Sequence, residues 1–156
     1  MCAVVYYSTA MNLRCPSFSD SGLIPATYTC QGDDVRPPLF IVDPPESVKS
    51  FAIIVSDPNA SSGDFVHWLI WDISPSVRDI EERMTPLGAI EGTSDFGEVG
   101  WGGPCPPSGT HRYEFRLYAL DAVIGLSPTS TKREVRAALE GHIIGESLLV
   151  GFYRKG

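Results

Sequence analysis

The sequence predicts one domain built mostly of β-strands, with a single helix near its C-terminal end. Glycine and proline are abundant, at 15 and 13 of 156 residues, and these residues interrupt helices and mark turns. Short runs of Val, Ile, Phe and Trp lie between them and suit strands better than helices. Only one convincing helical period is present. These observations favour a β-rich fold over a helical bundle.

Five apolar runs are the predicted strands. Each is rich in β-branched or aromatic residues and is bounded by Pro, Gly, Asp or Ser. No repeat, low-complexity tract or linker separates them, so we expect one domain over residues 1–156. In chain order the runs are Leu39–Val42, Phe51–Ser56, Phe65–Ile73, Tyr113–Leu120 and Leu148–Tyr153.

The predicted helix lies just before the last strand. Ser130 or Thr131 is placed to cap its first turn, with Glu134 completing a capping box. A second, short helix is predicted over Val77–Glu82. The apolar positions of the main helix recur at the spacing of one helix face, at Val135, Ala138, Leu139, His142 and Ile143.

Residues 84–110 show no period of either kind and predict a long, ordered loop. The segment holds seven glycines and four prolines, and loops of this length in compact domains are usually functional or disordered. Phe96, Val99 and Trp101 favour the ordered alternative, because they would gain by packing. An ordered glycine-rich loop exposes backbone N–H groups, which suits close approach by an anion.

Composition and charge exclude several function classes. The formal charge of -7 argues against a nucleic-acid binder, and no apolar run is long enough for a membrane span. The four cysteines have neither C-x-x-C nor zinc-finger spacing. Residues 1–10 lack the features of a secretory signal and are interpreted as an extension or an alternative start. We therefore expect a cytoplasmic protein with mostly reduced thiols and no metal or cofactor.

Four polar residues at predicted strand ends could form a binding site. Asp57 ends one strand, His67 lies inside an apolar strand, and His111 and Tyr113 share one face of another. If these strand ends are adjacent, two imidazoles, a phenol and a carboxylate line one cavity beside the glycine loop. Such a cavity would hold a phosphate ester or another small oxyanion. Arg112 faces the other way and is interpreted as an ion-pair partner to a neighbouring strand.

Other interpretations of the same residues stay open. His67 could be a core residue with satisfied hydrogen bonds, and Asp57 a turn residue before Pro58. Ser108, His111 and Asp57 could form a hydrolytic triad, although no G-x-S-x-G elbow is present. His67, His111 and Asp57 are also ligands that iron or zinc accepts.

Several segments resemble the phosphatidylethanolamine-binding protein family, also called the Raf kinase inhibitor protein family, in its shorter bacterial and archaeal branch. The resemblance extends from about Leu13 to the C-terminal helix. It implies two antiparallel sheets with Greek-key connections and a helix near the C-terminus. The strongest matches are Asp57-Pro58-Asn59, His67-Trp68, Asp95-Phe96-Gly97, Glu140-Gly141-His142 and the run from Gly103 to Tyr113.

The resemblance also implies an anion pocket and a choice of functions. Its pocket positions are Asp57, His67, Gly103, Pro104, His111 and Tyr113. Asn59 stands where the family usually has a second Asp, so we expect the pocket to have one negative charge fewer. Family members bind phospholipid headgroups or regulate kinases and serine proteases.

We therefore expect a non-enzymatic binding protein for a phosphoethanolamine-type headgroup. Inhibition of a serine protease or kinase is the alternative, and a hydrolase is the third. Nucleic acid and integral membrane partners are not expected, and a homodimer is an open alternative. Cys30 and Cys105 lie in family-like segments, where reduced thiols are expected unless the source is a hyperthermophile.

Overall fold

The computed structural model describes residues 10–156. The predicted extension over residues 1–10 therefore lies outside the described residues, except for Ala10. The described elements are mostly β, which confirms the predicted fold class. They are β1 (Asn12–Arg14), β2 (Gly22–Leu23), a 3-10 turn (Ala26–Tyr28), β3 (Leu39–Val42), β4 (Ser50–Asp57), β5 (Phe65–Ile73), β6 (Asp79–Ile80), β7 (Ile90–Glu91), β8 (Thr110–Leu120), α1 (Lys132–Leu139) and β9 (Ile143–Arg154).

The strands form a large and a small sheet. The large sheet has the order β2-β9-β8-β4-β5-β7 and the small sheet the order β1-β3-β6. All pairings are antiparallel except the two-residue pairing of β2 with β9. After β5 the chain returns to place β8 on the other side of β4, a non-consecutive neighbour of the kind that Greek-key connections produce.

The large sheet is buried on both faces, which explains the unbroken apolar run of β4. Phe51, Ile53 and Val55 belong to the core cluster shared with the small sheet. Ala52 and Ile54 alternate with them and pack in the cluster that contains the α1 side chains. All eight residues of β4 are buried. The domain therefore has three layers: small sheet, large sheet and helix.

Helix α1 begins as predicted but ends earlier. The Thr131 side chain accepts from the Glu134 amide, and the capping box is complete. The helix stops at Leu139, whereas the periodic pattern extends to Ile143. Gly141 adopts a φ of 79°, in the left-handed region, and Ile143 begins β9 instead. The last two positions of the pattern, His142 and Ile143, lie beyond the helix and are exposed.

The short helix predicted over Val77–Glu82 is wrong. Asp79 and Ile80 form β6, which pairs with β3 through Leu39–Ile80 and buries Ile80. A turn precedes it, with the Val77 amide donating to the Ser74 carbonyl. Pairing with an existing strand satisfies more backbone than one isolated helical turn would.

The loop over residues 84–110 contains more regular structure than predicted. Ile90 and Glu91 form β7 at the edge of the large sheet, and Thr93 bridges Val99. Trp101 packs against the core, but Phe96 and Val99 stay largely exposed, so the expectation that all three would be packed is only partly met.

The expectation of reduced thiols is wrong for one pair. Cys30 and Cys105 form a disulfide between positions 75 residues apart in the chain. The Cys30 amide donates to the Pro104 carbonyl at 3.2 Å, which brings the two segments together. The Cα atoms are 5.5 Å apart, within bridging range. Cys15 is free and buried, and burial raises the pKa of its thiol.

Candidate functional site

The predicted site residues meet at one end of the large sheet. Strand β4 ends at Asp57, and its antiparallel neighbours β5 and β8 begin beside that end. His67 is the third residue of β5, while His111 and Tyr113 are the second and fourth residues of β8. Antiparallel pairing therefore brings together four side chains from three strands that lie far apart in the sequence.

His111 and Asp57 form a close pair. Nδ1 of His111 lies 2.6 Å from Oδ2 of Asp57, and the carboxylate accepts, so Nδ1 donates. The other carboxylate oxygen accepts from the Asn59 amide at 2.7 Å. Both side chains of the pair are mostly buried. Asp57 thereby fixes the orientation of the imidazole and leaves Nε2 of His111 for a ligand.

Asn59 acts outside the cavity. Its Oδ1 accepts from the Arg112 amide at 2.8 Å, which ties the turn after β4 to the start of β8. Asn59 is not on the cavity wall, so the missing negative charge expected at this position would not lie beside a bound ligand. Arg112 pairs with Glu114, two residues along the same strand, rather than with a neighbouring strand as predicted.

His67 is a buried ring with one nitrogen committed to the protein. Its Nδ1 lies 2.6 Å from the Gly102 carbonyl oxygen, which only accepts, so Nδ1 carries a proton. The residue is 4% exposed. Burial lowers the pKa of His67, and the hydrogen bond to Gly102 and the charge of Asp57 oppose this only in part. His67 is therefore neutral at neutral pH and offers Nε2 as an acceptor.

Tyr113 carries an unsatisfied polar atom. Its hydroxyl is buried and has no hydrogen-bond partner within residues 10–156. Burial is the main cause of a strongly raised pKa, with a further contribution from the charge of Asp57. The phenol therefore stays protonated and can donate. A buried donor without a partner costs about 1–3 kcal/mol, so this hydroxyl is available to donate to a ligand in the cavity.

These side chains line one cavity of about 240 Å³. The rings of His67 and Tyr113 meet edge to face, with centroids 5.3 Å apart, and His111 stacks over Tyr113 at 6.5 Å. Among the described residues, no Lys or Arg lines the cavity. Its wall consists of Asp57, Ala60, Ser61, Ser62, Phe65, His67, Phe96, Cys105, Pro106, Pro107, His111 and Tyr113.

The structure does not place the other two predicted pocket residues on the cavity wall. The Gly103 amide donates to Oδ1 of Asp34 at 2.8 Å, and a Cβ at Gly103 would overlap that carboxylate and the Tyr28 carbonyl. The Pro104 carbonyl accepts from Cys30. The expectation that amides around Gly103 face an anion is therefore wrong for this residue, because its N–H group already has a partner.

Sequence reasoning missed the apolar wall. Phe65 and Phe96 flank His67, each with its ring centroid 5.2 Å from the imidazole. Phe65 lies two residues before His67 on the same strand face, which was a usable signal. Phe96, Pro106 and Pro107 come from the long loop, where no sequence period shows which side chains point inward.

The alternative chemical sites are not assembled. Ser108 is exposed and is absent from the cavity wall, so Ser108, His111 and Asp57 do not form a triad in this arrangement. Within residues 10–156, no group of three His, Cys, Asp or Glu side chains is arranged to hold a metal ion. In the same described range, no helix is long and apolar enough to cross a membrane.

The fold and the cavity define a small β-domain with a ligand-sized recess at one sheet end. The model of the phosphatidylethanolamine-binding protein family matches residues 14–154. The chain therefore belongs to this family, as the sequence resemblance indicated.

Relatives and solved structures agree with this assignment. A UPF0098 protein of Methanothermobacter thermautotrophicus is 46% identical over 151 residues, covering 94% of this chain and 100% of its own length. A UPF0098 protein of Pyrococcus horikoshii is 43% identical and covers 93% of this chain and 78% of its own length.

The crystal structure of a putative phosphatidylethanolamine-binding protein homologue from Chlamydia trachomatis superposes with a TM-score of 0.90 at 38% identity, covering 96% of this chain and 100% of its own. E. coli YbcL, described as a member of the mammalian family, superposes with a TM-score of 0.88 at 26% identity, covering 95% and 100%.

Proposed function

We propose that the protein is a non-enzymatic binding protein whose cavity holds a small phosphate-type anion. The observation that carries this proposal is the buried hydroxyl of Tyr113, which has no partner among residues 10–156 and lies beside two imidazoles in a recess. A phosphate oxygen would accept from this hydroxyl and relieve its desolvation. Nε2 of His111 is the second donor when that ring is protonated.

The cavity must obtain its positive charge from histidine. The chain has a net charge of -7, and the cavity wall contains no Lys or Arg. Protonation of an imidazole is then the source of attraction for an anion. Affinity should consequently increase on acidification, as imidazole gains a proton, and decrease as the pH rises.

The size of the cavity favours a small ligand. A volume of about 240 Å³ is just below the roughly 300–1,000 Å³ of sites for drug-sized molecules. Phosphoethanolamine is of suitable size and carries the required phosphate. The apolar wall formed by Phe65, Phe96 and the prolines would contact the short carbon chain of such a ligand.

Calorimetric titration with phosphoethanolamine and with inorganic phosphate between pH 5 and 8 tests the proposal. We expect binding that is strongest at the acidic end. The double variant His67→Ala/His111→Ala should lose it, whereas His142→Ala, a half-exposed histidine paired with Asp121 outside the cavity, should not. Unchanged affinity in the double variant would rule the proposal out.

Inhibition of a serine protease or kinase is the second candidate function. The observation that favours it is Leu87, which is 97% exposed next to Pro86 and near the exposed Met84. An exposed apolar segment of this kind can enter the substrate cleft of a protease. A serine protease panel tests this: Leu87→Asp should abolish inhibition, and Leu23→Asp, at another exposed leucine, should not. No inhibition by the wild type would exclude a protease among those tested.

A cytoplasmic location is also a proposal, and the disulfide sets a condition for it. Disulfides persist in oxidising compartments and in the cytoplasm of hyperthermophiles. The Cys30–Cys105 bond therefore fits a cytoplasmic location only in a hyperthermophile. Thiol trapping at lysis, followed by cell fractionation and mass spectrometry of both cysteine peptides, tests this. Disulfide-bonded Cys30 and Cys105 in the cytoplasmic fraction of a mesophilic source would contradict the statement that the bond requires a hyperthermophile there.

A further inference from the structure

The cavity offers a ligand both donors and an acceptor. Nδ1 of His67 is committed to the Gly102 carbonyl, so the ring's remaining polar atom, Nε2, holds a lone pair whenever the ring is neutral. The Tyr113 hydroxyl is a donor without a partner in the described part of the chain. A matching ligand therefore has to accept at one oxygen and donate from another.

The surroundings of His67 keep the ring neutral. The charged and titratable groups that face it are Asp57 from β4, His111 and Tyr113 from β8, and Asp34 from the segment before β3. Both carboxylates favour the protonated ring. Burial outweighs them, so the pKa of His67 is lowered.

Phosphate esters differ in whether they can donate. A phosphomonoester has a second pKa of about 6, so near neutral pH it exists partly with one P–OH group. A phosphodiester has no such proton at any pH near neutrality. Only the monoester can present a hydroxyl to Nε2 of His67 while another oxygen accepts from Tyr113.

We propose that the cavity selects phosphomonoesters over phosphodiesters, because Nε2 of His67 accepts a hydrogen bond from the P–OH group of the singly protonated monoester. This selectivity rests on the proposed anion-binding function. It makes His67 a specificity-determining residue in addition to a cavity wall. The phosphate of an intact phosphatidylethanolamine is a diester, so the preferred ligands are free monoesters such as phosphoethanolamine rather than that lipid in a bilayer.

The proposal fixes the pH dependence for each class of ligand. In the complex, one proton is shared between Nε2 of His67 and a phosphate oxygen of the ligand. A monoester brings that proton below its second pKa of about 6, and affinity decreases by up to tenfold per pH unit above this value. A diester leaves Nε2 of neutral His67 without a donor and gains that hydrogen bond only from the protonated ring, so its affinity decreases from a lower pH. The protonation of His111 affects both ligands alike.

Ethyl phosphate and dimethyl phosphate provide a matched pair, because they are isomers that differ in the presence of the second ionisable oxygen. Calorimetry near pH 6, where about half of the ethyl phosphate carries the P–OH group, should show ethyl phosphate binding tighter by about tenfold, the cost of an unpaired buried acceptor. Equal affinities would overturn the selectivity and leave the anion-binding function intact. No binding of either ligand at any pH from 5 to 8 would overturn both.

The variant His67→Gln tests the residue. Glutamine can donate or accept, so the ratio of the two affinities should fall towards one. His142→Gln is the matched control, since His142 likewise donates through Nδ1, in its case to the Asp121 carboxylate, but lies outside the cavity, and the ratio should not change. A ratio that stays high in His67→Gln would overturn the assignment.

A measurement on the wild type needs no variant. Ethylphosphonate has a higher second pKa than ethyl phosphate, so its loss of affinity should begin at a correspondingly higher pH. Coincident pH profiles for the two ligands would show that the ligand does not supply the proton and would overturn the proposal.

Discussion

Removal of the Cys30–Cys105 disulfide should destabilise the protein substantially. The bond closes a loop across a sequence separation of 75 residues. The chain-entropy relation for a loop of this length gives about 4.5 kcal/mol of stabilisation through the unfolded state. For a domain of this size, that corresponds to a decrease of roughly 9–18 °C in Tm. Because domains have only about 5–15 kcal/mol in total, the change would be a large fraction of the free energy of unfolding.

The double variant Cys30→Ser/Cys105→Ser is the perturbation, and urea unfolding with and without dithiothreitol is the assay. Cys30 is exposed and Cys105 is partly buried, so the serine hydroxyls reach water. The variant should unfold at a lower urea concentration than the oxidised wild type. Dithiothreitol should shift the wild type to the midpoint of the variant and leave the variant unchanged. Equal midpoints for variant and oxidised wild type would refute the loop-entropy reasoning.

Four further predictions follow from single contacts. Tyr113→Phe should leave the urea midpoint unchanged or slightly higher, because it removes an unpartnered hydroxyl, while lowering phosphate affinity about five- to tenfold by calorimetry. Gly103→Ala should cost about 1–3 kcal/mol in urea unfolding, because a Cβ has no space there; an unchanged midpoint would contradict the packing. Glu91→Gln should cost roughly 3 kcal/mol in the same assay, because it removes the carboxylate charge that lies 2.9 Å from the buried guanidinium of Arg36; a loss below 1 kcal/mol would show that the charge pair is not needed. The lowered pKa of His67 means that unfolding takes up a proton below about pH 6.5, so stability should decrease as the pH falls, by up to about 1.4 kcal/mol per unit, and His67→Gln should flatten that slope.

The sequence predicts the central strands well and the short ones poorly. Phe65–Ile73 has the predicted bounds, because strands buried on both faces show as continuous apolar runs. Asp79–Ile80 and Ile90–Glu91 have only two residues each, too few for any period to appear. Their structure depends on pairing with β3 and β5, which is a property of the whole fold.

The polar members of the candidate site were predictable for a related reason. Asp57, His111 and Tyr113 lie at strand ends, and antiparallel order brings such ends together. Gly103 was assigned a ligand contact on composition alone, but composition does not show that its amide already binds Asp34. The disulfide was only an alternative to the expected reduced thiols, since two cysteines 75 residues apart give no local sign of proximity.

Two hydrogen bonds between Gly102 and His67 tie the loop at Gly102 to the imidazole that faces the ligand. The Gly102 amide donates to the His67 carbonyl at 3.0 Å, and the Gly102 carbonyl holds the imidazole of the same residue. Loop and ring therefore move as one mechanical unit. A bulky guest that displaces the loop also releases the ring, which can then turn and exchange tautomers. The width of the cavity and the orientation of His67 therefore depend on the same contacts. A redesign that widens the cavity for larger ligands should also lose the selectivity for phosphomonoesters.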